Sequence, residues 1–408
     1  MSVTAADAAS CALHDAGTCR SCPHLSLPMP DQLAAKQSRV ATLLAEHIPA
    51  ELWQAPAASA PTGFRNKAKM AVAGTAAHPT LGILDGAGCG VDLRACPLHV
   101  PAIEAALPVL ADLITELGLR PYDVPARRGE LKYLLVTASP DDDLMVRFVL
   151  RSRRYLERLR AAMPDLRRRL PQLAVAAVNI QSVHQAVIEG PEEIVLTEED
   201  RLLMRLSLPS PGRNGRVGRP ADGVELPLYL PTRSFFQTNT AVAEALYATA
   251  RDWAEEAEPA RVWDLFCGVG GFALALAAPG RQVLGVEVSA QAIDGARAAA
   301  DLMGLDPALV RFEAGDAQVL DPAAGDRAGG AQRPDLLVVN PPRRGIGEQL
   351  ATRIEASGVE RVLYSSCNPR TLAADLAHLP SLQVVRSRLF DMFPHTEHAE
   401  VLVELVRG

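Results

Sequence analysis

The pattern of hydrophobic and polar positions differs between the two halves of the chain. Between about residues 62 and 230, apolar residues occur in short alternating or continuous runs such as LKYLLVTAS, LMVRFVLRS and AVAAVNIQSV, and helical spacing occurs at 101–118 and 155–169. Such a mixture is typical of an α+β unit. Before it, the spacing of leucine and valine residues predicts a helix from Asp31 to about His47.

From about residue 240 onward, apolar strands alternate with helical stretches. The predicted strands RVWDLFC, QVLGVEV, VRFEAGD, DLLVVN and RVLYSSC end in polar or glycine-containing turns. This alternation predicts parallel strands in a doubly wound α/β sheet, whose carboxyl ends line a ligand crevice. The segments 207–223 and 321–335 are rich in Gly, Pro, Arg or small polar residues. They are predicted to be a mobile loop at a domain edge and a surface insertion.

The length of 408 residues exceeds what one hydrophobic core usually serves, so two folded units with smaller attachments are expected. The predicted division is a cysteine-containing region (1–60 and around residue 96), a central α+β domain (61–230) and a Rossmann-like domain (231–408). Hydrophobic residues make up 48% and charged residues 22%, an ordinary globular balance. The chain has no apolar run of about 18 residues and no signal-peptide pattern, which predicts a cytoplasmic protein without a membrane segment.

The net charge of -7 argues weakly against a nucleic-acid partner, because binding to a polyanion depends mostly on Lys and Arg contacts to phosphate. The basic residues, however, are not spread evenly along the chain. Basic residues concentrate before residue 220 and most densely between Arg147 and Arg169. Two interpretations remain open for this run, a solvated protein face and an RNA-facing patch.

Polar side chains follow successive predicted strands of the C-terminal part. Asp264 lies in the DLFCGVGG run, Glu287 follows the next strand, Asp316 follows the third and Asn340 the fourth. Because the carboxyl ends of parallel strands meet at one edge of a sheet, these four side chains are expected to form one crevice. Gly268 and the glycines after it let the backbone approach a ligand at a helix N-terminus.

This arrangement resembles the class I S-adenosylmethionine methyltransferase fold. In that fold the glycine loop holds the methionine moiety, and the acidic residues hold the ribose and adenine. A generic nucleotide-binding sheet is the alternative. The run lacks the GxGxxG pattern of a dinucleotide site, and the NPP motif after the fourth strand is not a dinucleotide feature.

Cys367 is the candidate nucleophile, since LYSSCNP ends an apolar strand at the same predicted sheet edge. Methylation of uracil at carbon 5 needs such a thiolate, which adds to carbon 6, and a base that removes the carbon 5 proton. Glu400, just before the apolar run VLVEL, is the predicted base, with His398 as the second choice. Partial desolvation of Glu400 would raise its pKa and suit that role. Cys267, within the glycine turn, fits a buried structural cysteine better.

A second group of cysteines lies in the N-terminal half. Cys11, Cys19 and Cys22 are followed much later by Cys96, and four thiolates can hold either zinc or an iron-sulfur cluster. Only one CxxC pair is present, which disfavours a plain zinc ribbon. Cys89 is an alternative ligand, and unligated thiols are the remaining alternative.

Taken together, these motifs resemble the RNA (uracil-5-)-methyltransferase family, in particular the bacterial 23S rRNA enzymes of the RlmC (RumB) type. The likeness covers nearly the whole chain. It is carried by CALHDAGTCRSC, GFRNKAKM, RRGELKYLL, SFFQTNTAVAEALYATARDW, WDLFCGVGGF, VNPPRRGIG, LYSSCN and FDMFPHTEHAEVL.

The resemblance implies S-adenosyl-L-methionine and a 4Fe-4S cluster as cofactors, and a loop uridine of 23S rRNA as substrate. The central α+β domain (61–230) is the predicted RNA-binding domain. The implied residues are the cluster ligands Cys11, Cys19, Cys22 and Cys96, the cofactor contacts Gln237, Phe266, Glu287 and Asn340, the nucleophile Cys367 and the base Glu400. A membrane or an obligate protein partner is not implied.

Two features depart from the family pattern, the longer segments at 210–222 and 321–334, and neither touches a motif. The absence of a TRAM-type β-barrel before Cys11 favours the RlmC type. The alternatives are the same chemistry on a tRNA uridine or on another rRNA uridine, and a non-catalytic RNA-binding protein with a vestigial cofactor fold. The joint presence of Cys367, Glu400 and Asn340 argues against the last.

Overall fold

The described chain divides into two units, each containing a seven-stranded sheet. A computed structural model describes residues 9–184, 187–209, 223–319 and 333–408. Most of the predicted loop 207–223 and of the predicted insertion 321–335 therefore lies outside the described residues. The loop prediction was wrong at its first two residues, Ser207 and Leu208, which end a strand.

The antiparallel-sheet unit comprises residues 9–22 and 61–204. Its helices are α1 (Ala12–Asp15), α3 (Pro101–Glu116) and α4 (Leu156–Arg169). Its strands are β1 (Lys67–Gly74), β2 (Pro79–Leu84), β3 (Gly90–Asp92), β4 (Leu131–Ala138), β5 (Leu144–Leu150), β6 (Leu173–Ile180) and β7 (Glu192–Val195). They lie in the order β3-β2-β1-β4-β5-β6-β7, and only β5 and β6 pair in parallel.

The core of this unit is formed by the apolar residues that recur at strand and helix spacing along the sequence. Alternate residues of β1, β4 and β5, such as Met70, Leu134 and Phe148, are buried in one cluster with the apolar faces of α3 and α4. The parallel pair β5–β6 is joined by α4, since a parallel connection needs a crossover of a dozen or more residues. The predicted strands and helices of this region are confirmed within a few residues.

The parallel-sheet unit comprises residues 23–60 and 205–408. Its helices are α2 (Met29–Leu43), α5 (Thr240–Ala257), α6 (Gly271–Ala275), α7 (Ala290–Leu302), α8 (Gly347–Ser357) and α9 (Pro369–Leu376). Its strands are β9 (Val224–Pro231), β10 (Arg261–Leu265), β11 (Gln282–Glu287), β12 (Val310–Ala314), β13 (Leu336–Val339), β14 (Arg361–Ser366), β15 (Leu382–Phe390) and β16 (Glu400–Arg407). The division from the other unit falls inside β8 (Arg201–Leu208), which pairs with β9.

The large sheet of this unit has the order β12-β11-β10-β13-β14-β16-β15. The five strands predicted from apolar runs are β10 to β14, and they are parallel. The strand order reverses between β10 and β13, and ligands bind at such a switch point in doubly wound sheets. β16 and β15 extend the sheet antiparallel beyond β14, and β15 is a strand that the sequence analysis did not predict.

The predicted helix near residues 31–47 is α2, but it belongs to the parallel-sheet unit rather than to a common region with the cysteines. Val40, Leu44 and Ile48 are buried in the same apolar cluster as β13, β14 and β16. An amphipathic pattern shows that a helix has a buried face, but not which core covers it. In the described residues, no helix combines the length and the apolar character needed to cross a membrane.

Candidate active site

The turn after β10 has the backbone shape of a ligand cradle. Phe266, Gly268 and Gly270 have positive φ angles of 65°, 55° and 86°. A positive φ costs a non-glycine residue energy, and such strain is concentrated at functional sites. A Cβ added to Gly268 would meet no atom within 4 Å, so this glycine borders open space. The loop therefore leaves room for a bound group above its backbone.

Asp264 lies beneath this turn rather than in the open crevice that the sequence analysis expected. Its side chain is fully buried and accepts a hydrogen bond from the backbone nitrogen of Ala273 at 2.9 Å. Its second oxygen has no hydrogen-bond partner among the described residues. Burial raises the pKa of Asp264 to about 8, with the charge of Glu287 adding to the rise. Asp264 thus forms part of the buried floor of this turn, with one carboxylate oxygen unpaired in the described part of the chain.

The other predicted cofactor contacts are more accessible. Glu287 is half-buried at the end of β11, and its carboxylate accepts hydrogen bonds from the backbone nitrogens of Gly268 (3.3 Å) and Ser289 (3.0 Å). Asp316 is exposed after β12, and Asn340 is half-buried directly after β13. Gln237 is buried in the segment between β9 and α5. The structure thus brings Glu287 to the glycine turn and leaves Asp316 at the outer strand.

Cys367 lies directly after β14, close to Glu400 at the start of the neighbouring strand β16. Ser366 pairs with Val401 in the β14–β16 ladder, so Cys367 and Glu400 are the next residues along each strand. Burial and then the charge of Glu400 raise the pKa of the Cys367 thiol. The Arg343 guanidinium, hydrogen-bonded to this thiol, acts in the opposite direction. A half-buried thiol therefore lies between a carboxylate and a cation.

Glu400 is a buried acid, with 2% of its surface exposed. The Ser365 hydroxyl donates a hydrogen bond of 2.5 Å to its carboxyl group. Burial raises the pKa of Glu400 to about 7, and the Ser365 hydrogen bond lowers it only in part. The carboxyl group can thus exchange a proton near neutral pH. The second choice for the base, His398, is exposed, and its Nδ1 lies 3.2 Å from Arg343.

A network beneath the VNPPRRGIG segment holds Arg343 beside Cys367. Asp375 of α9 accepts hydrogen bonds from the backbone nitrogens of Ile346 (2.9 Å) and Gly347 (3.0 Å). The Tyr364 hydroxyl donates to the same carboxylate at 2.5 Å. Asn368, which caps α9, donates to the carbonyl oxygen of Arg343 at 3.0 Å. The loop that carries Arg343 is therefore tied to the helix that follows Cys367.

The segment before Glu400 is anchored from α2. The Lys36 ammonium donates to Asp391 (2.5 Å) and to the Phe393 carbonyl (3.0 Å), and both members of this ion pair are buried. Gln32 accepts a hydrogen bond from the backbone nitrogen of His395 at 3.0 Å. His395 is fully buried and has a φ of 62°. Polar residues of one helix thus fix the strained turn that leads to the candidate base.

Three comparisons with known proteins bear on these residues. The model of the tRNA (Uracil-5-)-methyltransferase family matches residues 223–408. A protein from Halothiobacillus neapolitanus named 23S rRNA (uracil(747)-C(5))-methyltransferase RlmC is 49% identical over 401 residues, covering 97% of this chain and 99% of that protein. A protein of the same name from Cronobacter sakazakii is 47% identical over 398 residues, covering 97% of this chain and 99% of that protein. The chain belongs to this family of uracil-5-methyltransferases.

The fold of this uracil-5-methyltransferase has also been seen in a crystal structure. The Pyrococcus abyssi tRNA (uracil-54, C5)-methyltransferase, solved in complex with S-adenosyl-L-homocysteine, superposes with a TM-score of 0.73 at 23% identity, covering 94% of this chain and 85% of that one. The predicted α/β fold and the family resemblance are confirmed. The roles of the individual site residues remain predictions.

Several residues of this uracil-5-methyltransferase site were not singled out from the sequence. Arg343, Ser365 and Asp375 lie in or near quoted motifs, but only the strand pairing reveals what they contact. Phe235 and Val288 are apolar yet 70% and 76% exposed, beside Gln237 and Glu287 in the sequence. Cys267, in contrast, is buried as predicted, and burial raises its pKa well above the usual value.

The four N-terminal cysteines interact with one another in the antiparallel-sheet unit. Burial raises the pKa of Cys22 to about 11, with further increases from Cys96, Cys19 and Cys11. Arg65 is the nearby cation that lowers it. In the part of the chain that the structure describes, no three His, Cys, Asp or Glu side chains are arranged to hold a single metal ion. The exposed Cys89 is not among the groups that shift these thiols.

Proposed function

We propose that this chain transfers a methyl group from S-adenosyl-L-methionine to carbon 5 of a uridine in 23S rRNA, at the position equivalent to uracil 747. The observation that carries this proposal is the closeness of a thiol, Cys367 directly after β14, to a buried carboxyl group, Glu400 at the start of β16. Relatives that are 45–49% identical over 97% of the chain carry the corresponding name. A ribosomal RNA substrate agrees with the cytoplasmic location predicted from the sequence.

Cys367 acts first. Its thiolate forms a bond to carbon 6 of the uracil, and the electron pair of the 5,6 double bond moves onto the carbon 5 side as an enolate. Arg343 favours the thiolate because its guanidinium is hydrogen-bonded to the sulfur. The target base has to leave its stacked position to reach this sulfur, which favours nucleotides of an RNA loop.

The methyl donor fits the carboxyl ends of β10 to β13. S-adenosyl-L-methionine, when bound, supplies an electrophilic methyl group to carbon 5. The residues proposed to hold it are Gln237, Phe266, Gly268, Glu287, Asp316 and Asn340. The open space at Gly268 and the unpartnered buried oxygen of Asp264 support a ligand at this turn. Glu287, already oriented by Gly268 and Ser289, suits the hydroxyl groups of a ribose.

Glu400 completes the reaction. It removes the proton from carbon 5, the electrons of that C–H bond restore the 5,6 double bond, and the Cys367 thiolate leaves carbon 6. A pKa of about 7 suits this step, because a substantial fraction of the base is ionised at neutral pH and is strong enough to accept the proton. The Ser365 hydroxyl orients the carboxyl group.

We also propose that Cys11, Cys19, Cys22 and Cys96 hold a 4Fe-4S cluster. The mutual influence of the thiols supports their convergence. In a 4Fe-4S cluster the four thiolates are spread over the cluster. Protein purified without oxygen should be brown, with about four iron and four sulfide per chain. Colourless, zinc-loaded protein would contradict the assignment.

Transfer of labelled methyl groups to unmodified 23S rRNA and to bulk tRNA tests the substrate. Label in 5-methyluridine at a single 23S rRNA position is the expected result. Label in tRNA alone would move the substrate to tRNA, the class named in the matching family model and in the Pyrococcus abyssi structure. Absence of label from both RNAs would refute the proposed activity.

A further inference from the structure

A cavity of about 300 Å³ lies in the antiparallel-sheet unit, remote in sequence from the catalytic motifs. It lies at the start of β4 and is lined by residues of β1, the end of β2 and the segments around residues 122 and 184. The side chains that define its character are Leu84, Tyr122, Val124, Lys132, Tyr133 and His184. Its volume is at the lower end of the range for small-ligand sites, roughly 300–1,000 Å³.

Three aromatic side chains supply surface for a flat ligand. The Tyr122 hydroxyl and the His184 Nδ1 lie 2.8 Å apart, and their rings are tilted at 52° with centroids 6.1 Å apart. Tyr133 contributes a third, half-buried ring. Proteins recognise unpaired RNA bases by stacking them on Tyr, Phe, Trp or His rings.

Lys132 places a positive charge in the wall of this cavity. The residue is 6% exposed, and its ammonium lies 4.9 Å from the centroid of the Tyr122 ring. It donates to the Val183 carbonyl at 2.6 Å and, more weakly, to the Gln181 side chain at 3.4 Å. An ammonium has three donors, so one remains after these two.

The charge of Lys132 is not neutralised by a carboxylate among the described residues. Burial and then the nearby Arg151 lower its pKa, so its charged neighbour is another cation. A buried charge without a partner is costly. An electron-rich ligand, such as the carbonyl edge of a base, would accept the remaining hydrogen bond and offset that cost.

The cavity is accessible to solvent at two of its lining residues. Val124 is 38% exposed, and His184 is also exposed. A cation and aromatic rings at an accessible surface are typical of sites that bind single-stranded nucleic acid.

We propose that this cavity binds one unpaired base of the substrate RNA, other than the target uridine. The base packs against the Tyr122, Tyr133 and His184 rings, and an acceptor of its edge takes the third hydrogen bond of Lys132. The inference rests on the proposed function, since it takes RNA as the substrate. The target uridine itself must reach Cys367, which belongs to the other unit.

Two variants and one control test this site. Lys132→Met removes the charge while keeping the length of the side chain, and His184→Ala removes an exposed ring. Arg297→Met is the control, because it removes one positive charge from an α7 side chain that is 56% exposed, outside the cavity and outside the basic run 147–169. The probe is a transcript of the 23S rRNA region that contains uracil 747. Its Kd, KM and kcat are measured for each variant, with thermal unfolding as a check on folding.

Both cavity variants should raise Kd and KM roughly tenfold or more with little change in kcat, because each removes a contact to the bound base. The control should change Kd only about twofold. Transcripts with 5-iodouridine at non-target positions should crosslink under light to Tyr122, Tyr133 or His184. Constants equal to those of the control would overturn the proposal. If Lys132→Met does not fold, His184→Ala decides. If the wild type methylates no RNA, the proposed function fails, and Kd and the crosslinks still decide the cavity.

Discussion

The two ends of the crevice in the parallel-sheet unit are built in different ways. The nucleophile end, formed by Cys367, Glu400 and the residues that contact them, satisfies its buried polar groups with protein partners. The donor end, formed by Phe266, Gly268, Glu287 and the residues after β12 and β13, has polar side chains that are half-buried or exposed. Its backbone nitrogens bind Glu287, and its glycine borders open space.

This difference indicates where the energy that stabilises the polar groups of each end comes from. At the nucleophile end the cost of burying Glu400 is met by folding, so the proposed base is in place before any ligand arrives. At the donor end the ligand itself has to complete the hydrogen bonds, which is how binding energy for a small molecule is obtained. Substitutions at the two ends should therefore affect different quantities.

Cys367→Ala should have the largest effect. Without the thiolate no bond to carbon 6 forms, and methyl transfer should fall on the order of 10⁴-fold or more, as for other essential nucleophiles. Binding of S-adenosylmethionine, measured by calorimetry, should stay unchanged because the donor end is untouched. The exposed Cys89→Ala, outside the crevice, is the control. Turnover near the wild-type rate in Cys367→Ala would remove this residue from the mechanism.

Glu400→Gln should slow methylation about 10²–10⁴-fold, the usual contribution of a general base. Because the carbon 5 proton stays in place, the Cys367 thiolate cannot leave, and a covalent protein–RNA adduct should accumulate on denaturing gels. Cys367→Ala should form no such adduct. A variant that turns over normally, or that forms no adduct, would assign the base to another residue, with His398 next to be tested.

The same variant should be more stable than the wild type at pH 8. The pKa of Glu400 rises from 4.5 to about 7 on folding, so its contribution to stability is present below pH 4.5 and is lost as the pH rises through about 7. Glu400→Gln removes this loss, and its advantage in unfolding free energy should reach up to about 3 kcal/mol at pH 8 and vanish near pH 4. Equal stability at both pH values would contradict the burial argument.

Lys36→Met should destabilise the protein by about 3–5 kcal/mol, because Asp391 would keep a buried charge without its partner. Denaturant unfolding measures this loss, and Lys36→Met with Asp391→Leu should recover part of it. Arg39→Met is the control on the same helix, where the pair with Glu397 is partly exposed and should contribute about 0–1 kcal/mol. A loss no larger than that of the control would show that the ion pair does not anchor the turn before Glu400.

The sequence predicted the elements of the donor end well, because each strand there is a short apolar run that ends in a polar or glycine residue. The nucleophile end was harder. Lys36 and Gln32 lie on the predicted helix, but polar residues on a helix are normally exposed, and their partners are more than 350 residues away. No local pattern reveals such a pairing.

The strand β15 was missed for a related reason. Its sequence LQVVRSRLF contains Arg386 and Arg388, which weaken the strand pattern. In the structure Arg386 pairs with the buried Glu404, and Arg388 donates to Thr249 at 2.9 Å. Hydrogen bonds to residues distant in the sequence thus stabilise two arginines in β15, although the local sequence pattern disfavours a strand there.

Glu287→Gln should have the smallest effect and should separate the two ends most clearly. Glu287 accepts hydrogen bonds from Gly268 and Ser289, and its remaining acceptor capacity suits the ribose hydroxyls of the donor. A hydrogen bond to a charged group contributes about 1.5–3 kcal/mol to binding. Without it, the KM for S-adenosylmethionine should rise roughly 10–100-fold, while kcat should stay within about twofold. Glu313→Gln on the neighbouring strand is the control, since Glu313 pairs in register with Val286 and is also half-buried. A fall in kcat with an unchanged KM would mean that Glu287 acts on the chemical step, and the division of the crevice into a preformed end and a ligand-completed end would be wrong.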